Sequence, residues 1–555
     1  MENLLEMYAL ENAVRYGGKA NPGAVIGSII MKDPSVKKNM KELQKKVSET
    51  VKKVNSMKPD AQKKRLEELA PELLEKKKAK EKDMFSHFPA EGDVVTAFPP
   101  EPSKYPHIGH AKAALINYEF SKRHKGKFIL RFEDTNPDLA RKEFYDIILK
   151  NLKWIGVNPD KVDYASDHME EYYQYAEKLI QLDRAYICKC SQEDVKKSRM
   201  KGKACNCRYK HIKENLIDWK KIHFMKEGEA ILRMKIDLKH QNSAMRDPTI
   251  FRIIRKPHVR LGEKYAVWPT YDFENAVADG LSGVTHRFRS KEFELRNELQ
   301  RYLQKILSFD ETSIYEFARF NLEGVESSGR IIRDLIKDKK LIGWDDPSLT
   351  TLVALKRRGF VPEAIRNFVL NTGITKSEST LTWDDLIVHN KRILDSKCDR
   401  YFFVEDPIRV RMQDAPKKTI KLNLHPEFPK RGVRTYKTND LFYLANQDIK
   451  FFKDKSINRL MGAFNFFKKN GYYIYKNDDY ETFKKEGDQI IHWLPYNGKL
   501  SEVEILMPDK KVLKGLSENS LWDLRTGTIV QFERVGFCRL DKKNKTKLYF
   551  WFTHK

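Results

Sequence analysis

The segment from Asp93 to Gly156 does most to limit the fold. DVVTAF (Asp93 to Phe98) reads as a buried strand, the proline-rich PPEPSKYP as a loop, and AKAALINYEFSKRH as an amphipathic helix. KFILRFED then reads as a second strand and ARKEFYDIILKNLKWIG as a second helix. Strand and helix alternating in this way imply a parallel sheet with crossover helices, an α/β domain. Gly126 is expected to close the first helix as a C-terminal cap.

The rest of the 555 residues leaves room for about three to five domains. Residues 1 to about 85 read as helical, with a first helix ending at Gly17-Gly18 and KANPGAV as a loop. Lys37 to Lys82 is dense in lysine, with Leu43, Val47 and Val51 four apart, which reads as a solvated amphipathic helical pair. Residues 185 to about 265 look like an insertion containing a short strand (AILRMKID), and α/β character resumes at AVWPTYDFENAVAD. Helices are expected over 340–395 (TLVALKRRG, PEAIRNFVL). Short strands at regular spacing from Arg400 onward suggest one or two β-barrels.

Composition narrows the function. The net charge of +27 suits attraction to nucleic acid, the alternative being a solvated basic surface. No run approaches the roughly 18 consecutive apolar residues of a membrane helix. The N-terminal MENLLEMYALENAVRYGG lacks a signal-peptide pattern, so a cytoplasmic protein with no membrane partner is expected.

Two motifs carry chemistry. His107-Ile108-Gly109-His110 puts two imidazoles three residues apart at a helix start, hence on one face. Free amides and the positive end of the helix dipole make that position an anion site, and Gly109 is expected to let a nucleotide approach the backbone. Cys188, Cys190, Cys205 and Cys207 form two close pairs separated by fourteen residues. Four thiolates in this pattern suit tetrahedral, structural Zn2+ better than disulfides.

VVTAFPPEPSKYPHIGHAKAALIN resembles the first catalytic signature of the class I glutamyl- and glutaminyl-tRNA synthetases, and the chain looks closest to the archaeal type of glutamyl enzyme. KFILRFEDTNP, YAVWPTYDFENAVADGLSGVTH, IIHWLP and VQFERVGFCRLD extend the likeness over nearly the whole length. The resemblance implies a helical N-terminal extension (1–90), a Rossmann-like catalytic domain (91–187 and 263–338) and an inserted acceptor-binding region with a zinc knuckle (188–262). A helical stem-contact region (339–397) and anticodon-binding β-barrels (398–555) complete it. It implies ATP and Mg2+, glutamate, and tRNA-Glu as partner, with tRNA-Gln as a second acceptor left open, and a monomer.

The resemblance also assigns residues. His107, Gly109 and His110 would hold ATP, with the two histidines catalytic. Glu133 would bind the α-ammonium of glutamate, and Tyr271 and Asn275 would line the pocket. Arg289 would read the side-chain carboxylate, for which a guanidinium is suited and which a glutaminyl enzyme would leave unmatched. Two departures stand out. The family has an arginine where this chain has Ala97, and Arg287 or Lys104 is expected to supply that charge. The second class I signature is reduced to Glu326-Ser327-Ser328-Gly329-Arg330, without its central lysine. Ser327 and Ser328 would wrap phosphates, and Arg330 would replace the last lysine as a catalytic group. The rivals are a glutaminyl-tRNA synthetase, a non-catalytic tRNA-binding paralogue and a small-molecule nucleotidyltransferase.

Overall fold

The computed structural model describes residues 2–15, 18–32, 36, 39–70, 73, 83–320 and 322–555. Gly17, and residues 74–82 of the lysine-rich stretch, lie outside the described residues. Contacts divide the chain into two compact units, Met1–Ser86 and His87–Lys555.

The first unit is helical: α1 (Glu2–Arg15), α2 (Pro22–Lys32), α3 (Met40–Asn55) and α4 (Pro59–Leu69). Its core includes Leu5, Ala9, Leu10, Leu43, Val47, Val51 and Leu66. The expected loop KANPGAV is a loop only to Asn21, and from Pro22 it is the start of α2. Asn21 caps it by accepting from the Gly23 and Ala24 amides at 2.9 and 3.2 Å, and Pro22 takes a position where a missing N–H costs nothing.

The second unit opens with β1 (Val95–Phe98), α5 (Ile108–Arg123), β2 (Lys127–Phe132), α6 (Lys142–Trp154) and β3 (Lys161–Tyr164). After α7 (Met169–Gln181), the strands β4 (Ala185–Cys188), β5 (Ile231–Met234), β6 (Thr249–Ile253) and β7 (Val267–Pro269) form an antiparallel sheet of their own, with α8 (Gln192–Lys201) and α9 (Ile212–Ile222) between β4 and β5. The chain then returns through α10 (Tyr271–Leu281), β8 (His286–Ser290), α11 (Glu294–Leu307) and β9 (Ser313–Phe317). The Val267-Trp268-Pro269 run, expected to rejoin the α/β layer, is the last strand of the inserted sheet.

The parallel sheet has the order β3-β2-β1-β8-β9. Succession runs outward from β1 on one side and restarts at β8 on the other. The crevice beyond the carboxyl ends of β1 and β8 is therefore a topological switch point, where open α/β sheets bind ligands. Asn117 of α5 locks the two halves together. Its side chain accepts from the Phe288 amide at 3.0 Å and donates to the Phe288 carbonyl at 2.7 Å.

Gly126 does not work as a left-handed cap. Lys125 takes the positive φ of 54° after α5. A Cβ at Gly126 would lie 2.1 Å from the Val94 carbonyl oxygen, so the glycine is needed because two backbones nearly touch there.

The helices α12 (Gly329–Lys337), α13 (Leu352–Arg358), α14 (Pro362–Asn371) and α15 (Trp383–Lys397) follow. Leu352, Leu355, Ile365 and Phe368 share a core with α5, β2 and α6. Between Arg400 and His554 lie sixteen described strands, forming two seven-stranded barrel-like sheets and one hairpin, each large sheet closed on its own core.

Candidate active site

A cavity of about 530 Å3 opens at the switch point. It is lined from the loop after β1, the start of α5, the end of β2, α10, β8 and the start of α12. His107, Gly109, His110, Glu133, Tyr271, Arg289, Ser327 and Ser328 all line it.

His107 is the N-cap of α5, and the histidines are more than exposed donors. His107 Nδ1 accepts from the Gly109 amide at 3.0 Å, and His110 Nδ1 accepts from the His107 amide at 3.2 Å. The Ile108 amide donates to the Thr350 carbonyl at 3.0 Å. The amides expected to be free for an anion are thus already used. With both Nδ1 atoms accepting, each neutral ring carries its proton on Nε2. Burial, with Lys104 and Arg319 nearby, pushes His107 down to about 3. Burial and His107 likewise hold His110 well below the usual imidazole range. Both rings are therefore neutral Nε2–H donors near pH 7. Gly109 serves the same arrangement: a Cβ there would fall 2.8 Å from the His107 ring, so the glycine lets that ring fold over its own helix.

The opposite end is a buried charge cluster. Glu133, just past β2, accepts from Asn275 Nδ2 at 2.9 Å. Burial, then the neighbouring Glu274 carboxyl, hold Glu133 well above the usual carboxylate range. Burial raises Glu274 to about 7 against the opposing Arg131. Two adjacent buried carboxyls raised in this way favour holding one proton between them. Asn275 is 1% exposed and lies behind Glu133, also accepting from Arg287 and donating to Glu274 at 2.9 Å. It thus touches Glu133 and is not part of the cavity lining. Asp279, fully buried, binds both Arg131 and Arg287 and accepts from Gln300 at 2.8 Å.

β8 alternates, so Arg287 and Arg289 face one side. Thr96 pairs with His286 across the parallel ladder, which makes Ala97 and Arg287 lateral neighbours on one face of the sheet. Arg289 is 6% exposed, donates to the side-chain Oδ1 of Asn297, and makes no ion pair with a carboxylate among the described residues. Its Nε has no hydrogen-bond partner. Burial pulls it below the usual guanidinium value, with Tyr271 opposing. The Phe293 ring lies 5.9 Å from the guanidinium carbon.

The second signature forms the start of α12, with Ser328 as N-cap and its amide donating to Glu326 Oε1 at 2.6 Å. Arg330 points outward: it is exposed and does not line the cavity. Lys104 and Arg319 line that end of the cavity instead. Arg319 carries no motif, and sequence reasoning missed it. Glu274 was missed too, one of three acids in the stretch YDFENAVAD, where nothing local marks it as the one beside Glu133.

Away from this cavity, β4 ends on Cys188 with Cys190 just beyond it, and Cys205 caps the 3-10 turn Asn206–Tyr209 that carries Cys207. All four Sγ atoms lie within 4.8 Å of one another, with Cys188 and Cys205 at 3.9 Å and Cys190 and Cys207 at 4.0 Å. Ligands about 2.3 Å from a tetrahedral centre would be separated by close to these distances. The donor set therefore fits zinc.

The model for class I tRNA synthetases (E and Q), catalytic domain, matches residues 93–396. Anticodon-binding domain models of the same class match residues 398–481 and 490–541. The chain belongs to the class I E and Q tRNA synthetases. This synthetase is 40% identical to the glutamate--tRNA ligase of Pyrococcus furiosus over 574 residues, covering all of both chains. It is 37% identical to that of Methanothermobacter marburgensis, again over the full length of both. The solved glutamate-tRNA synthetase from Elizabethkingia anophelis is a more distant likeness, 20% identical with a TM-score of 0.40, covering 55% of this chain and 71% of that one. No described helix is long and apolar enough to cross a membrane.

Proposed function

We propose that this synthetase activates glutamate with ATP and transfers it to the 3′ end of tRNA-Glu. One observation carries the choice of glutamate: Arg289, a buried guanidinium with no carboxylate partner among the described residues, lines the cavity opposite the neutral histidines. A buried cation facing a neutral amide would stay unpaired, at a cost of several kcal/mol. A side-chain carboxylate matches it with charge-assisted hydrogen bonds.

In this reading the α-ammonium displaces the shared proton and rests on Glu133, which Asn275 holds in place. The side-chain carboxylate meets Arg289 beside Tyr271. Arg287 stands where the family arginine is missing at Ala97, fixed by Asp279. ATP enters as its magnesium complex and lies along His107 and His110, whose Nε2–H groups donate to phosphate oxygens. An α-carboxylate oxygen attacks the α-phosphorus, the bond to the β-phosphate oxygen breaks, and pyrophosphate leaves. Catalysis is positioning plus electrostatics. A terminal ribose hydroxyl of the tRNA then attacks the adenylate carbonyl and AMP departs. Arg330 has no contact in this scheme.

The domain plan supports the same activity, with residues 188–262 on the acceptor end and 398–555 on the anticodon. Cys188, Cys190, Cys205 and Cys207 would hold a zinc ion whose contribution is structural, since four protein ligands fill its coordination.

Charging of tRNA-Glu and tRNA-Gln transcripts with labelled glutamate and glutamine tests the reading. Glutamate on tRNA-Glu, with glutamine at least about 100-fold poorer, is expected, and Arg289→Ala should lower kcat/KM for glutamate by a similar factor. Equal use of glutamine would overturn it. Glutamate on tRNA-Gln would add a second acceptor.

A further inference from the structure

A second cation lines the cavity without a bonded counter-ion among the described residues. Lys104 lies in the proline-rich loop three residues before His107, and its ammonium makes no hydrogen bond or ion pair among the described residues. Its stem crosses the start of α12: a Cβ at Gly329 would fall 2.9 Å from Lys104 Cδ. Arg333 of α12 donates to the Ser103 carbonyl at 3.4 Å, so loop and helix are tied together at this point. Burial lowers the Lys104 ammonium, Arg333 and Arg319 lower it further, and the Glu101 and Glu292 carboxylates, neither bonded to it, oppose that. A cation held next to two others, without a bonded acid, matches a ligand with several negative charges.

The neighbours decide which end of the substrate this is. Lys104 keeps company with His107, Arg319, Ser328 and Gly329. Glu133, Tyr271 and Arg289 are not among the groups that act on it. The sheet register also gives the space beside Ala97 to Arg287. Lys104 is therefore not the substitute for the arginine lost at Ala97. What the nucleotide end lacks is the central lysine of the second signature, where this chain has Ser327 or Ser328.

We propose that Lys104, from the first signature loop, is the cation that binds the β- and γ-phosphates of ATP and follows the pyrophosphate as it leaves. The lysine of the second signature has in effect moved to the facing loop. The α-phosphate stays with His107 and His110. The proposal rests on the ligase reading only for the identity of the nucleotide, so its test is a binding measurement that does not need turnover.

Calorimetric titration of the full chain with ATP and, separately, with AMP distinguishes the contacts, because AMP has no β- or γ-phosphate. Lys104→Met should weaken ATP at least about tenfold, the loss of one charge-assisted phosphate contact, while AMP changes less than about twofold. Lys104→Arg should recover most of the ATP affinity. In tRNA charging, Lys104→Met should raise KM for ATP by a similar factor and leave KM for glutamate within about twofold. Unchanged ATP affinity would overturn the assignment, and so would equal losses for ATP and AMP, which would mean the variant had disturbed the loop. A larger effect on glutamate than on ATP would return Lys104 to the amino-acid end. Wild-type protein that binds ATP but charges no tRNA with glutamate would overturn the ligase reading and leave the Lys104 comparison intact.

Discussion

At the scale of single residues, the amino-acid end is governed by a proton shared between two buried acids. Burial and Glu274 hold Glu133 well above the usual carboxylate range, yet in the proposed reaction it must be ionised to receive an ammonium. Because its value in the free protein is raised, the binding-competent carboxylate becomes more populated as pH rises. The KM for glutamate should therefore fall as pH rises through about 7, the value to which the partner acid Glu274 is raised. The histidines add nothing in that window, since His107 titrates near 3 and His110 is also held neutral. Glu274→Gln removes the repelling charge, and the KM profile should move toward lower pH by about one unit. Steady-state kinetics across the range checks this, and a profile that stays in place would separate Glu274 from Glu133. His107, Gly109, His110, Glu133, Tyr271 and Arg289 were all legible as cavity residues, because each is part of a run whose residue types only make sense together. Arg319 was not legible: nothing in its local sequence says which way it points.

At the scale of elements, the cysteine knuckle depends on two segments whose own structure is slight. β4 has four residues and the turn bearing Cys207 is a single 3-10 turn, so neither orders its thiols alone. Arg233, fully buried, approaches Cys188 Sγ at 3.9 Å, a cation suited to a thiolate cluster. Purified protein should contain about one zinc per chain. Cys205→Ser should lower the metal content and the thermal midpoint, by several degrees if the loss is 2 kcal/mol or more. Metal analysis without zinc, with an unchanged midpoint, would remove the ion from the description. The helices and strands of the catalytic layer were readable because their apolar spacing is regular. The misread elements, Gly126, the start of α2 and the Val267-Trp268-Pro269 strand, sit where the chain changes course. A turn residue announces that change, but whether Gly126 serves a left-handed backbone or a close approach depends on Val94, in a different element.

At the scale of the molecule, buried histidines couple the C-terminal sheets to pH. His554 Nε2 accepts from Asn390 Nδ2 of α15 at 2.9 Å, joining the helical region to the last strand. Burial, with Arg358 and Lys391 nearby, lowers it to about 4, and burial with Arg534 and Arg434 lowers His492 to about 3. Depressed folded values mean that only the unfolded chain takes up a proton as pH falls below about 6.5. Stability from each is complete above that value and is lost as pH falls toward 4. Between pH 7 and pH 5 the loss is about 2 kcal/mol per histidine. Urea midpoints at the two pH values should differ less in His492→Gln/His554→Gln than in the native chain. An equal difference would assign the acid sensitivity to other groups.

The sequence by itself determined the class of fold, the family and most of the cavity wall, because hydrophobic period and motif composition are local and survive without knowledge of distant contacts. Tertiary structure alone decided how those residues work. The histidines cap their own helix and so become neutral Nε2 donors, Arg287 stands beside Ala97, and Arg330 faces outward while Lys104 faces in. Each of these depends on which strands are neighbours and which loop meets which helix. Such contacts join residues tens to hundreds of positions apart, and no local pattern encodes them.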